Sequence, residues 1–273
     1  MRSLLFVPGT RPDRIAKALA SGADAVCIDL EDAVAPQDKA QARASVMEAL
    51  AEPRESAPVL GFRINPLRTP NGLADLAAYG ASNAPADFIM IPKVTHPVEL
   101  DIVSGALERH ERPQLWPIIE SAEGLSRAYE IAAARCVQGI LFGGADFAAD
   151  LGTTMEWEPL FHARGTLAAA AAAAGIQLLD VPYLDVNNDE GLSNSTRRVR
   201  ALGFTGRSCI HPRQVAGVNA AFTPSESEIE YARKVLAAFA ASKGGAALMD
   251  GKLIELPVIR AAERTLGAAG LVE

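Results

Sequence analysis

The chain has 273 residues, within reach of a single α/β barrel, for which about 250 residues is typical. Its 49% hydrophobic content supplies a sizeable core, and 26 basic against 33 acidic residues leave a net charge of −7. An acidic chain with no basic block argues against nucleic-acid binding, so any anionic ligand must be held by a local cluster. Three cysteines, Cys27, Cys136 and Cys209, are odd in number and lack CxxC spacing. They imply a reduced, cytoplasmic protein without structural zinc, with Cys27 and Cys209 as small buried hydrophobes. The opening SLLFVPG is broken by Pro8 and Gly9 and does not resemble a signal peptide. No apolar stretch approaches the ~20 residues of a membrane span.

Short apolar runs alternate with longer amphipathic ones along the chain. Strands are expected at 3–9, 24–30, 58–65, 86–93, 114–121, 139–146, 175–183 and 203–210. These runs are continuously hydrophobic, as in parallel strands covered on both faces. Helices are expected between them: PDRIAKALASG with Gly22 at its C-terminal end, DKAQARASVMEAL, and the alanine-rich ARGTLAAAAAAAG. Eight strand–helix units predict a closed (β/α)₈ TIM barrel over residues 1–221, and the missing GxGxxG after the first strand weakens a Rossmann alternative. Pro117 falls inside a predicted central strand, where its absent N–H requires a bulge. Residues 222–273 form a helical C-terminal extension, with a short strand or turn before the last helix, placed to cover the barrel mouth or to meet a neighbouring subunit.

In such barrels the reactive groups gather where strands end. The polar residues there are Asp29, Glu31 and Asp32, then Arg63 and Asn65, Lys93, Glu120 and Asp146. Glu120 and Asp146 close neighbouring strands, and two carboxylates brought together repel unless a cation separates them. Mg²⁺ suits such a pair, because it binds through one or two carboxylates and keeps other positions for water and substrate oxygen. The competing reading is a helix cap for Asp146 and a salt bridge for Glu120. Arg63 can clamp a carboxylate or steady a developing enolate oxygen, or simply pair with the acidic DLED loop. Arg11, Arg14 and Lys17 surround the start of the first helix, either as a phosphate cradle or as a solvated basic face. His96 and His211 precede prolines and read as turn residues.

The segment RSLLFVPGTRPDRIAKALASGADAVCIDLEDAVAPQDKAQAR resembles the opening of citrate lyase β-subunit (CitE-like) proteins, in the HpcH/HpaI aldolase and citrate lyase superfamily. The resemblance continues through FRIN, IPK, IESAEG, GGADFAADLG, GRSCIHPRQV and DGKLIELP. It implies a Mg²⁺-dependent lyase that cleaves or forms a C–C bond in a β-hydroxyacyl thioester of coenzyme A or of acyl carrier protein. Candidate substrates are of citryl-, malyl- and citramalyl-type. By resemblance, Glu120 and Asp146 are the metal ligands, with Glu120 also facing substrate, and Arg63 binds substrate and the developing charge. Glu31 and Asp32 act on the metal's waters, Arg11 and Lys17 meet the CoA portion, and Glu255 takes part in proton transfer. Relatives are commonly homotrimers. Two positions depart from the family pattern: Glu255 stands where an aspartate is usual, and Ala145 where a glutamate is frequent. The rival activities are a thioesterase on malyl-CoA-like substrates and a non-catalytic accessory subunit.

Overall fold

The computed structural model describes residues 1–53, 58–107, 113–241, 247–249 and 252–271. Eight parallel strands close into a barrel in chain order: β1 (Ser3–Pro8), β2 (Ala25–Asp29), β3 (Val59–Arg63), β4 (Phe88–Ile91), β5 (Gln114–Ile119), β6 (Gly139–Phe142), β7 (Gln177–Asp180) and β8 (Gly206–Cys209). The first and last pair with each other, Leu4 opposite Ser208. Hydrophobic runs buried on both faces thus become parallel strands, with no edge left open.

The helices sit in the intervening segments. They are α1 (Ile15–Leu19), α2 (Lys39–Ala51), α3 (Pro70–Ala81), α4 (Val98–Ala106), α5 (Ala122–Ser126), α6 (Ala128–Ala132), α7 (Gly144–Leu151), α8 (Trp157–Ala174), α9 (Asp189–Ala201) and α10 (Arg213–Phe222). Several starts follow capping rules: Thr69 Oγ1 accepts the Gly72 N–H at 3.1 Å, and Asn188 Oδ1 accepts that of Gly191 at 2.8 Å. The alanine-rich α8 ends at Gly175, whose φ of 68° is the left-handed conformation that stops a helix cheaply. The first helical stretch is shorter than expected: a 3₁₀ turn over Pro12–Arg14 precedes only five α-helical residues.

The barrel interior is filled by Leu4, Ala25, Cys27, Phe88, Met90, Trp116, Ile118, Leu141 and Leu179. Trp116 is fully buried because β6 begins with glycine, where a Cβ would run into the indole ring. Pro117 is accommodated by a change of register. Leu115 bridges Val137, whereas Ile118 pairs with Leu141, so β6 carries one extra residue across that interval. The Leu115 N–H points to β6, donating to the Cys136 carbonyl. Alternation puts the missing Pro117 donor on the same side, where the ladder is already interrupted.

The chain divides into two compact units, Met1–Asn219 and Ala220–Glu273. Within the second, α11 (Glu226–Ala241) and α12 (Leu256–Ala268) pack through Ala232, Val235, Ile259, Ala262 and Leu266. β9 (Ala247–Met249) pairs antiparallel with β10 (Lys252–Ile254), and Ile254 joins the same core. Among the described residues no helix is long and apolar enough to cross a membrane.

Candidate active site

The carboxyl ends of β2, β3, β5 and β6 bring most of the expected residues together. Asp29 closes β2, almost completely buried, and its two oxygens accept the backbone N–H groups of Glu31 and Ala33 at 2.9 and 3.0 Å. The same oxygens receive the Arg63 fork, Nε and Nη2 each at 2.6 Å. Asp29 is therefore a positioning group: it fixes the DLED turn and the plane of Arg63 in one set of bonds. The remaining nitrogen, Nη1, points at Glu31 Oε2 at 2.7 Å and Asp32 Oδ2 at 3.4 Å. The guanidinium also lies over the Phe6 ring, 5.1 Å from its centroid. The pairing of Arg63 with the DLED loop and its exposure to the cavity thus hold at once.

Glu31 and Glu120 are both buried, 4% and 5% exposed. Neither Glu31 oxygen accepts a hydrogen bond, despite the nearby Arg63. Burial pushes its carboxyl up to about 7, against the pull of Arg63. Glu120 follows β5 directly and is pushed up to about 8, first by burial, then by the charges of Glu31 and Asp146. Its Oε1 accepts the Lys93 N–H at 2.7 Å. Its other oxygen lies against Gly143, where any Cβ would collide with the carboxylate. A glycine there is thus a condition for Glu120 to stand where it does.

The structure corrects the expected position of Asp146. Strand β6 stops at Phe142 and the chain turns at Gly143 into α7, so Asp146 sits in the first turn of a helix. Apolar GILF and helix-compatible GADFAADL run together in the sequence, and a glycine pair is the only sign of the change. Asp146 still reaches the same cavity, with its side chain 44% exposed. Lys93 Nζ stands 3.5 Å from both Asp146 Oδ1 and Glu31 Oε1. Its backbone has φ of 55°, unusual for a side chain with a Cβ, and this turn aims its N–H at Glu120. The residue type alone carries no sign of that backbone role.

Other expected residues lie outside this cluster. Asn65 donates its N–H and Nδ2 to Asp75 at 2.8 and 2.6 Å and locks β3 to α3. Arg11 forks onto Asp13 at 2.8 and 2.7 Å, and Lys17 is solvent-exposed on α1. Glu255 belongs to the second unit, exposed at the start of α12 and making no capping hydrogen bond.

Asp29, Asp32, Glu120, Asp146 and Arg63 line a cavity of about 400 Å³, which also meets Phe6, Ile118, Leu141, Val181, Leu184 and Ile210. Among the described residues no three His, Cys, Asp or Glu side chains converge closely enough to enclose a metal ion alone. Glu120 and Asp146, with the unbonded oxygens of Glu31 behind them, fit a hard divalent cation that leaves most positions to water and substrate oxygen.

The family model for HpcH/HpaI aldolase/citrate lyase matches residues 2–212. The chain belongs to this family. A relative in it, the L-malyl-CoA/β-methylmalyl-CoA lyase of Cereibacter sphaeroides, is 38% identical over 99% of this chain and 95% of its own length. The (3S)-malyl-CoA thioesterase of the same organism is 36% identical over 98% of this chain and 94% of its own. CitE from Mycobacterium tuberculosis, solved in complex with magnesium, acetoacetate and coenzyme A, superposes with a TM-score of 0.85 at 33% identity, covering 98% of both chains. The closed parallel barrel is the fold expected from the sequence.

Proposed function

We propose that this HpcH/HpaI family member is a Mg²⁺-dependent carbon–carbon lyase acting on a malyl-CoA-type β-hydroxyacyl-CoA. The observation that carries the reading is one cavity lined by Glu120, Asp146 and the Asp29-forked Arg63, in a chain close to a malyl-CoA lyase over nearly its full length. The CoA- and magnesium-bound state of the M. tuberculosis relative supports both ligands.

Cleavage moves the hydroxyl proton to a base, breaks the bond to the α-carbon of the thioester, and returns a proton to that carbon. Bound Mg²⁺ would supply positive charge beside the hydroxyl and carboxylate oxygens, making the hydroxyl proton easier to remove. Glu120 and Asp146 would hold it, and Glu31 and Asp32 would orient its waters. Arg63 Nη1, which faces Glu31 and Asp32, would donate to the thioester oxygen as negative charge grows there when the C–C bond parts. Its plane is already set by Asp29, so little reorganisation is needed at that moment. Glu255 stands where the family pattern has an aspartate assigned to proton transfer, and would take that role here.

A thioesterase is the second reading, and one observation favours it. The alignment with the malyl-CoA thioesterase spans 273 positions while covering 98% of this chain, so it needs few gaps. The alignment with the lyase spans 304, so the lyase carries insertions missing here. Mass-spectrometric product analysis with malyl-CoA, citramalyl-CoA and citryl-CoA, with Mg²⁺ and with EDTA, separates the two. Acyl-CoA plus a keto or aldehyde acid, only with Mg²⁺, is the expected result. Free CoA with intact hydroxy acid establishes the hydrolase, and no turnover of any ester removes both.

A further inference from the structure

A second cavity, of about 460 Å³, is built from the start of α8, the loop after β7, α9 and β8. It shares Val181, Pro182 and Leu184 with the cavity of the carboxylates, but Glu120, Asp146 and Arg63 do not line it. Its charged lining is of a different kind. Three arginines reach it: Arg164, Arg198 and Arg207.

Arg164 and Arg207 are 4% and 1% exposed, and both are bonded to a single carboxylate, that of Asp180. Each keeps a buried nitrogen without an acceptor, Arg164 Nη1 and Arg207 Nε. Arg198 makes no ion pair among the described residues; its guanidinium carbon lies 3.9 Å from the centroid of the Trp157 ring. Arg164 meets the same ring at 4.9 Å, so two guanidiniums share one indole. The lining acids, Glu156 and Asp185, are exposed and pair with none of the three arginines. Helix α8, 18 residues long, starts at this cavity, and its N-cap Glu156 makes no side-chain capping bond. The positive end of that helix adds to the field of the arginines.

Two buried cations sharing one acid, with donors left over, favour a further anion beside them. The guanidinium fork matches a planar carboxylate. The apolar walls, Met155, Val181, Pro182 and Leu184, suit a short carbon chain attached to it. We infer that this cavity is a binding site for a compact organic carboxylate, separate from the reaction cavity. Arg198 is its principal contact, and the Arg164–Arg207 pair is fixed positive charge behind it. The site needs neither Mg²⁺ nor turnover, so it stands or falls apart from the lyase reading.

The test titrates the protein, freed of cations on a chelating resin, with L-malate, pyruvate and inorganic phosphate. Calorimetry gives Kd, and tryptophan fluorescence reports the place: Trp157 lines this cavity, while the other tryptophan, Trp116, is buried in the barrel interior. At least one acid should bind with a Kd of about 1 mM or tighter and change the fluorescence, with phosphate several-fold weaker. Arg198→Gln, at an exposed position, should weaken that binding about tenfold or more. Arg63→Gln, in the other cavity, should leave it within about twofold. No saturable binding of either acid up to about 10 mM overturns the site. Binding that Arg198→Gln leaves unchanged, or that Arg63→Gln weakens as much, overturns it too. Phosphate as tight as either acid overturns the assignment to an organic carboxylate.

Discussion

Two ionic clusters are buried in the same barrel on opposite terms. In one, Asp180 at the end of β7 meets Arg164 Nε at 3.0 Å and Arg207 Nη2, while Arg207 also reaches Thr196 and Ser195 at 3.1 and 3.0 Å. Arg164 is sandwiched against Phe142 and Trp157, its guanidinium carbon 5.5 and 4.9 Å from their centroids. Both arginines and the aspartate are under 5% exposed. In the other, five carboxylates (Asp29, Glu31, Asp32, Glu120 and Asp146) face two cations, Arg63 and Lys93. In the first cluster both oxygens of Asp180 are bonded to arginines and Arg164 lies over two rings. Arg164 Nη1 and Arg207 Nε have no hydrogen-bond partner, and the cluster ties α8, β7, β8 and α9 together. The second leaves buried acceptors unbonded beside a cavity and keeps like charges together. An acid whose two oxygens are both bonded to buried arginines is a structural link; buried carboxylates left unbonded and crowded together beside a cavity are arranged for something that arrives.

The contrast breaks most sharply by removing one acid from each cluster. Glu120→Gln should lower turnover on the order of 10³-fold and abolish Mg²⁺ binding by calorimetry, while leaving the fold intact. Gly143→Ala should do nearly the same, since its methyl would displace the Glu120 carboxylate. Asp180→Ala should instead cost roughly 3–5 kcal/mol of stability, because it leaves two buried guanidiniums without an acid. Urea unfolding measures both. An Asp180 variant as stable as wild type would mean that the Asp180 cluster does not hold the barrel, and a Glu120 variant destabilised to the same degree would erase the distinction.

Arg63→Lys sharpens the comparison within the second cluster. Lysine keeps the charge but has no fork for Asp29, so kcat/KM should fall roughly 10²–10³-fold. A variant within a few-fold of wild type would show that charge alone, without a fixed plane, is what Arg63 supplies.

Much of this was legible in the sequence because eight continuous apolar runs, spaced by helix formers, allow few arrangements other than a closed parallel barrel. Glu120 was equally legible, a lone carboxylate directly after such a run. Asp146 was found by type but placed on the wrong element, since apolar β6 and small-residue α7 share one hydrophobic stretch. The fork between Asp29 and Arg63 depends on neighbouring strands 34 residues apart in sequence, and no local pattern encodes it. Arg11, read from the sequence as part of either a phosphate cradle or a solvated basic face, pairs with Asp13 two residues away, a partner that the reading of the helix start did not weigh.

The raised carboxyls of the second cluster give it a pH dependence. Glu31 and Glu120, at about 7 and about 8 when folded, titrate near 4.5 in the unfolded chain. Between these values the folded state binds more protons, so stability falls as pH rises from about 4.5 to 8. In EDTA the urea midpoint should therefore drop across that range. Glu120→Gln should flatten the drop, as should saturating Mg²⁺ on the wild type. A midpoint that rises with pH would show that these carboxyls are not held up by burial.

The smallest effect concerns the backbone that supports Glu120. Lys93 has φ of 55° so that its N–H can meet Oε1, and a Cβ in that conformation costs about 1 kcal/mol relative to glycine. Lys93→Ala and Lys93→Gly both delete the ammonium near Glu31 and Asp146, so any loss of activity from charge is common to them. They differ in strain alone on the folded side, and glycine adds freedom to the unfolded chain. If the turn is held against strain, the glycine variant should equal or exceed the alanine variant in stability by up to about 1 kcal/mol, reversing the usual order at an ordinary position. An alanine variant more stable than the glycine one would mean that the left-handed turn is not maintained, and with it would go the bond that aims Glu120 into the cavity.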